Sequence, residues 1–186
     1  MVSDFLRQPR EAFGRLLAEP GSPGLAWLPL VAGMGFWAGR LPLLAQAGTP
    51  TGDLWLVLLL VGALTGLIGV FLMGALLRVI GGLFAGKASM RDCRLVAAWS
   101  GLAYSVPLAC GVLGLLLGIE HLPLALMALT SLMALALQAI WLVVGVRKAH
   151  QLATGPAVAT ALAAGIGTLL VLGTIFGAIG LGPGDG

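Results

Sequence analysis

The chain has 186 residues, of which 59% are apolar and only 9% charged, with a formal net charge of +3. A soluble domain carries roughly 25% charged residues, so this composition excludes a water-solvated globule and predicts an integral membrane protein. Its apolar runs are continuous rather than alternating, which argues against a β-barrel, and the length admits four to six helical spans at about 20 residues each.

The first 24 residues mix Arg7, Arg10 and Arg15 with Asp4, Glu11 and Glu19. They hold no apolar core or small-residue cleavage site, so a signal peptide is not expected. Within them, PREAFGRLLAE (9–19) reads as a short amphipathic helix that opens on Pro9, a residue suited to a first helical position. Phe13, Leu16 and Leu17 share one face, and such a helix is expected to lie in the membrane interface. EPGSPG (19–24) ends it.

Five apolar segments follow, at about 25–47, 54–83, 95–118, 122–146 and 157–181. The expected fold is therefore all-α: a polytopic bundle of five transmembrane helices behind a short amphipathic arm. The arm covers 1–24, the membrane domain 25–182 and a short tail 183–186. The first segment is interrupted by Arg40 and Pro42. The arm, the connection bearing Arg78, Lys87, Arg91 and Arg94, and the connection bearing Arg147 and Lys148 hold nine of the ten basic residues. Five spans put all three regions on one side of the membrane. The positive-inside rule makes that side cytoplasmic and the carboxyl terminus external. The pairs Gly62/Gly66, Gly114/Gly118 and Gly173/Gly177 have the spacing that lets helix backbones approach closely, within the bundle or in a homo-oligomer.

The stretch RDCRLVAAWSGLAYSVPLACG (91–111) passes from charged loop to membrane helix. Ser89 and Asp92 have capping-box spacing, which predicts a helix start near Met90. Trp99 suits an interfacial anchor. Pro107 removes one backbone donor and predicts a kink. This is either a kinked packing helix or a polar cavity or hinge around Tyr104, Ser105 and Pro107. Arg40 and Gln138 are the other polar groups at membrane depth. Arg40 is placed to snorkel outward or to pair with Asp53, and Gln138 to hydrogen-bond between helices. Together, Arg40, Tyr104, Ser105, Pro107 and Gln138 are the candidate cavity or hinge. Arg78, Lys87, Arg91, Arg94, Arg147, Lys148 and His150 are the candidate cytoplasmic face for anionic lipid or a partner protein.

Several chemistries lack their residues. There is no GxSxG, HExxH, phosphate loop or paired carboxylate, so neither enzyme activity nor a cofactor is expected. Cys93 and Cys110 form no ligand set with histidine, which argues against a metal site. Glu120 and His121 read as a solvated turn. Cys93 is juxtamembrane, where palmitoylation is an option. The basic excess follows membrane sidedness, so no nucleic-acid partner is expected.

Three stretches carry a family resemblance. FLRQPREAFGRLLAEP (5–20) precedes the first span. GGLFAGKASMRDCRLVAAWSGLAYSVP (81–107) joins a glycine-rich helix end, a basic loop and a helix with an aromatic and a proline. QAIWLVVGVRKAHQLATGPAVATALAA (138–164) leads from a Trp-bearing helix through a basic turn to a Gly/Pro/Ala helix start. In order and spacing these resemble the Yip1-domain family of five-span membrane proteins, in its short bacterial form. The resemblance covers most of the chain. It implies a non-enzymatic protein of a bacterial inner membrane that organises membrane or acts as an adaptor. The family's eukaryotic members are similar to trafficking factors that bind prenylated Rab GTPases. Only about 24 residues precede the first span here, so that role is not carried over intact. A small permease, channel or lipid-moving protein is the alternative.

Overall fold

The computed structural model describes residues 7–21, 24–118 and 123–178, so Glu120, His121 and the 183–186 tail lie outside the described residues. Every regular element among the described residues is helical. Helix α1 is Pro9–Ala18, α2 is Leu28–Ala38 and α3 is Leu41–Gln46. Helix α4 (Thr51–Leu56) runs through one π turn (Val57–Val61) into α5 (Gly62–Leu83). Helix α6 (Met90–Ser100) runs through a tight 3-10 turn (Gly101–Tyr104) into α7 (Ser105–Leu117). Helices α8 (Leu124–His150) and α9 (Thr154–Ala178) complete the described chain.

Four stretches are long and apolar enough to cross a membrane: Gly52–Leu83, Met90–Leu117, Leu124–His150 and Thr154–Ile175. They correspond to the second to fifth expected spans. The first apolar segment is not a fifth helix of that length, because it divides at Gly39 and Arg40 into the short helices α2 and α3. The cause is local. Pro42 has no N–H to return to the carbonyl of Ala38, and the Arg40 N–H closes a tighter turn on the Trp37 carbonyl at 2.9 Å.

The expected kink falls one turn before Pro107. Proline cannot bond the carbonyl four residues earlier, and the helix tightens to 3-10 geometry over Gly101–Tyr104. That turn is packed rather than open. Its Gly101 lies against Ala32 of α2, and the Tyr104 backbone lies against Gly35.

Helix α5 is the centre of the bundle, in contact with α2, α6 and α9. Lipid supplies no hydrophobic drive between helices, so close backbone approach has to supply dispersion. Gly33 of α2 meets the backbone of Gly62 and Gly66, and Gly66 in turn faces the Pro29 carbonyl. The Gly62/Gly66 pair thus serves packing within the chain. Gly173 has open space where a side chain would stand.

The arm turns its apolar face onto the bundle. Ala12, Phe13 and Leu16 are buried, and α1 packs on α8 and α6 rather than presenting that face to lipid. Gly145 of α8 makes the room, with Phe13 and Val96 occupying the space beside its Cα. The main core joins Phe13, Leu16, Leu77, Val96, Trp99 and Trp141. A smaller one, built from Ala38, Leu41, Leu54, Leu58 and Leu115, joins α2, α3, α4, the π turn and α7. Outward-facing side chains such as Leu60, Phe71, Leu116, Leu132 and Leu170 are large, apolar and exposed, as a lipid-facing surface requires.

A methyl group at Gly66 has no space, whereas one at Gly173 has nothing to strike. Gly66→Ala is expected to destabilise the chain by about 1–3 kcal/mol through overpacking. Gly173→Ala is expected to stabilise it by up to about 1 kcal/mol through helix propensity. Unfolding of the two variants in one detergent checks the opposite signs.

Candidate functional site

Polar side chains gather at two places. The first lies at the α2–α3 break. The Arg40 guanidinium stands 3.7 Å from the centre of the Phe36 ring and donates from Nη1 to the Phe36 carbonyl at 2.8 Å. Phe36 meets Trp37 and Tyr104 edge to face, at 6.3 and 6.2 Å between centroids. Trp37 Nε1 donates to Thr65 Oγ1 at 2.9 Å, and that hydroxyl donates to the Val61 carbonyl at 2.6 Å, at the end of the π turn. Arg40 and Tyr104 are thus brought together through Phe36. Ser105 and Gln138 are half-buried and take no part in these contacts, and Pro107 is buried in the first turn of α7. Among the described residues Arg40 makes no ion pair with Asp53; it is held by the Phe36 ring and carbonyl instead.

The second place is the end of the bundle where α1, the 84–89 loop, the start of α6 and the end of α8 meet. The capping box forms as the spacing predicts. Asp92 N–H donates to Ser89 Oγ at 3.2 Å, and Ser89 N–H donates to Asp92 Oδ2 at 3.0 Å. Arg91 then points toward the arm, its Nη2 donating to the carbonyls of Glu19 and Gly21. One guanidinium therefore ties α6 to the segment that follows α1. Arg94 lies 4.5 Å from the centre of the Phe71 ring, its stem against Gly74. Its Nε is buried without a hydrogen-bond partner.

His150 corrects the sequence reading. It was grouped with the basic face, yet its side chain is 1% exposed and cannot reach a headgroup. The ring fills the space beside Gly81 and Gly86, where any Cβ would strike it. Its Nε2 lies 3.4 Å from Cys93 Sγ, and its carbonyl accepts from the Lys87 N–H at 3.4 Å. Cys93 is fully buried by this contact, which leaves its thiol closed to an acyl donor.

The same packing explains an unusual backbone. Just past the end of α5, Ala85 rather than a glycine takes the left-handed region at φ 59°. The Gly86 N–H bonds the Gly81 carbonyl at 2.9 Å, which completes the C-terminal capping motif. Glycine is the usual left-handed residue, but here the glycine stands one place later, where the imidazole needs the room.

Arg78, Lys87 and Lys148 are exposed and Arg147 half-exposed. The last two line a cleft of about 340 Å³ with Arg10, Val144, Gln151 and Leu152. Gln151 follows Arg147 by one turn at the end of α8, whereas Arg10 comes beside Arg147 only through the docking of α1 on α8. Gly86→Ala is expected to push the imidazole out and expose Cys93. In a Cys110→Ala background, maleimide labelling of Cys93 should be slow in the parent and at least severalfold faster in the variant.

Searches of curated proteins and of solved structures gave no match. The family model described as the Yip1 domain matches residues 3–176. That match takes in the arm, the capped basic loop, the tightened turn and the basic end of α8, and the four membrane-length helices make this a multi-pass membrane protein. The chain belongs to the Yip1-domain family.

Proposed function

We propose that this protein is a non-enzymatic membrane organiser or adaptor of a bacterial inner membrane, and that the basic end of its bundle is its cytoplasmic working face. Three basic regions, far apart in sequence, carry this reading. Arg91 holds the segment after α1, Lys87 donates to the end of α8, and Lys148 lies against Gly14 of α1. Their convergence supports the sidedness that the charge distribution predicts. Anionic headgroups are the fitting counter-surface, since each basic residue near such a surface contributes about 1 kcal/mol.

The α2–α3 break supports this reading over a transport pathway. Gly35, one turn before it, packs on the Tyr104 backbone, Gly39 at the break faces the Ser131 side chain, and Arg40 is engaged by an aromatic ring.

The test is lipid preference of the full chain in detergent. Phosphatidylglycerol is expected to bind more tightly than phosphatidylcholine, and added salt should erode the difference. Replacing Arg78, Lys87, Arg147 and Lys148 together with Gln should weaken phosphatidylglycerol binding at least tenfold. An unchanged preference in the folded variant would sink the proposal.

A further inference from the structure

We infer that the cleft between α1 and the end of α8 is a discrete phosphate site. Its ligand is the phosphate of a glycerophospholipid headgroup or free phosphate, held by Arg10, Arg147, Lys148 and Gln151. The inference rests on the proposed lipid-contacting role of this end of the bundle, and it adds a single saturable site to a diffuse surface.

The lining comprises three cations, one amide and two apolar side chains, with no carboxylate. Among the described residues no ion pair engages Arg10, Arg147 or Lys148. A structural role explains two of the cations, because the carboxyl end of α8 attracts positive charge through its dipole. It does not explain Arg10, which comes from a different helix and finds no carboxylate in the cleft lining. The first turn of α1 already has Glu11 to complement its dipole, and the Glu11 and Ala12 N–H groups donate to the Gln8 carbonyl, so the positive charge of the cleft is that of its side chains. An anion between the two helices answers all three side-chain cations at once.

The fit extends to size and shape. The cleft's volume of about 340 Å³ is at the low end for small-molecule sites, roughly 300–1,000 Å³, which suits a headgroup rather than a whole lipid. Val144 and Leu152 give it an apolar wall, against which the carbon skeleton of an esterified phosphate can lie. Gln151 ends α8 in the left-handed conformation, φ 57°, and its amide supplies a neutral donor. Gly14 completes the construction. The Lys148 stem crosses α1 there, 3.2 Å from where a Cβ would stand, so the absence of a side chain on α1 steers the ammonium.

The experiment titrates the detergent-solubilised full chain with short-chain phosphatidylglycerol, short-chain phosphatidylcholine and inorganic phosphate. One saturable phosphatidylglycerol site is expected. Arg10→Gln and Lys148→Gln should each weaken it at least fivefold, while Arg78→Gln and Lys87→Gln, outside the cleft, should change it less than twofold. Gly14→Leu alters no charge but takes the space of the Lys148 stem, and it should match Lys148→Gln while keeping a folded spectrum. Binding of phosphatidylglycerol alone assigns the site to lipid. Saturable binding of inorganic phosphate through the same residues assigns it to free phosphate, and both results support the site. Equal losses from all four Gln variants, or no loss in folded Gly14→Leu, overturn the discrete site and leave the broader lipid-contact reading standing. No preference for the anionic lipid together with no saturable phosphate binding overturns both.

Discussion

The basic end of this protein depends on one buried ring. His150 is the last residue of α8, and it occupies the room that two glycines leave beside the end of α5. The Cys93 thiol closes it from α6. Two consecutive helices and a third from far along the chain therefore meet on a single imidazole. The ring is 1% exposed and its Nδ1 is buried without a hydrogen-bond partner, while the backbone groups around it pair with one another. The Lys87 N–H answers the His150 carbonyl, the Gly86 N–H answers that of Gly81, and the capping box closes the next helix start. With that corner fixed, Arg91 can reach back to the arm and α1 can lie along α8.

The arm contributes by giving up its apolar face. An amphipathic helix that spent Phe13 and Leu16 on lipid would be free to slide along the membrane surface. Here those side chains join the core, so Arg10 keeps a fixed relation to Arg147 and Lys148. A cation cluster drawn from two elements becomes a cleft with a shape rather than a diffuse cloud of charge.

Much of this was legible in the residues. Continuous apolar runs marked the four long helices, and S-x-x-D marked where α6 begins. Arg40 and Pro42 marked where the first segment breaks, because a missing donor acts on its own turn. The rest required the third dimension. A histidine after an arginine and a lysine looks like one more surface cation; only the empty space beside Gly81 and Gly86 turns it inward. Arg10 looked like one of several charges on the arm, and nothing local said which helix it would face. Pro107 announced an irregularity, but its tightened turn falls at Gly101–Tyr104, where α2 offers small residues to pack against.

The unequal helices give the surrounding bilayer two edges to meet. The continuous run Gly52–Leu83 has 32 residues, about 48 Å at 1.5 Å per residue, well over the roughly 30 Å of a hydrocarbon core. Its neighbour α2 has 11 residues, about 16 Å, and far too few to cross. A long apolar helix is accommodated by tilt or local thickening, and a short one by thinning. Packed side by side, the long and the short helix therefore ask different thicknesses of the lipid that borders them.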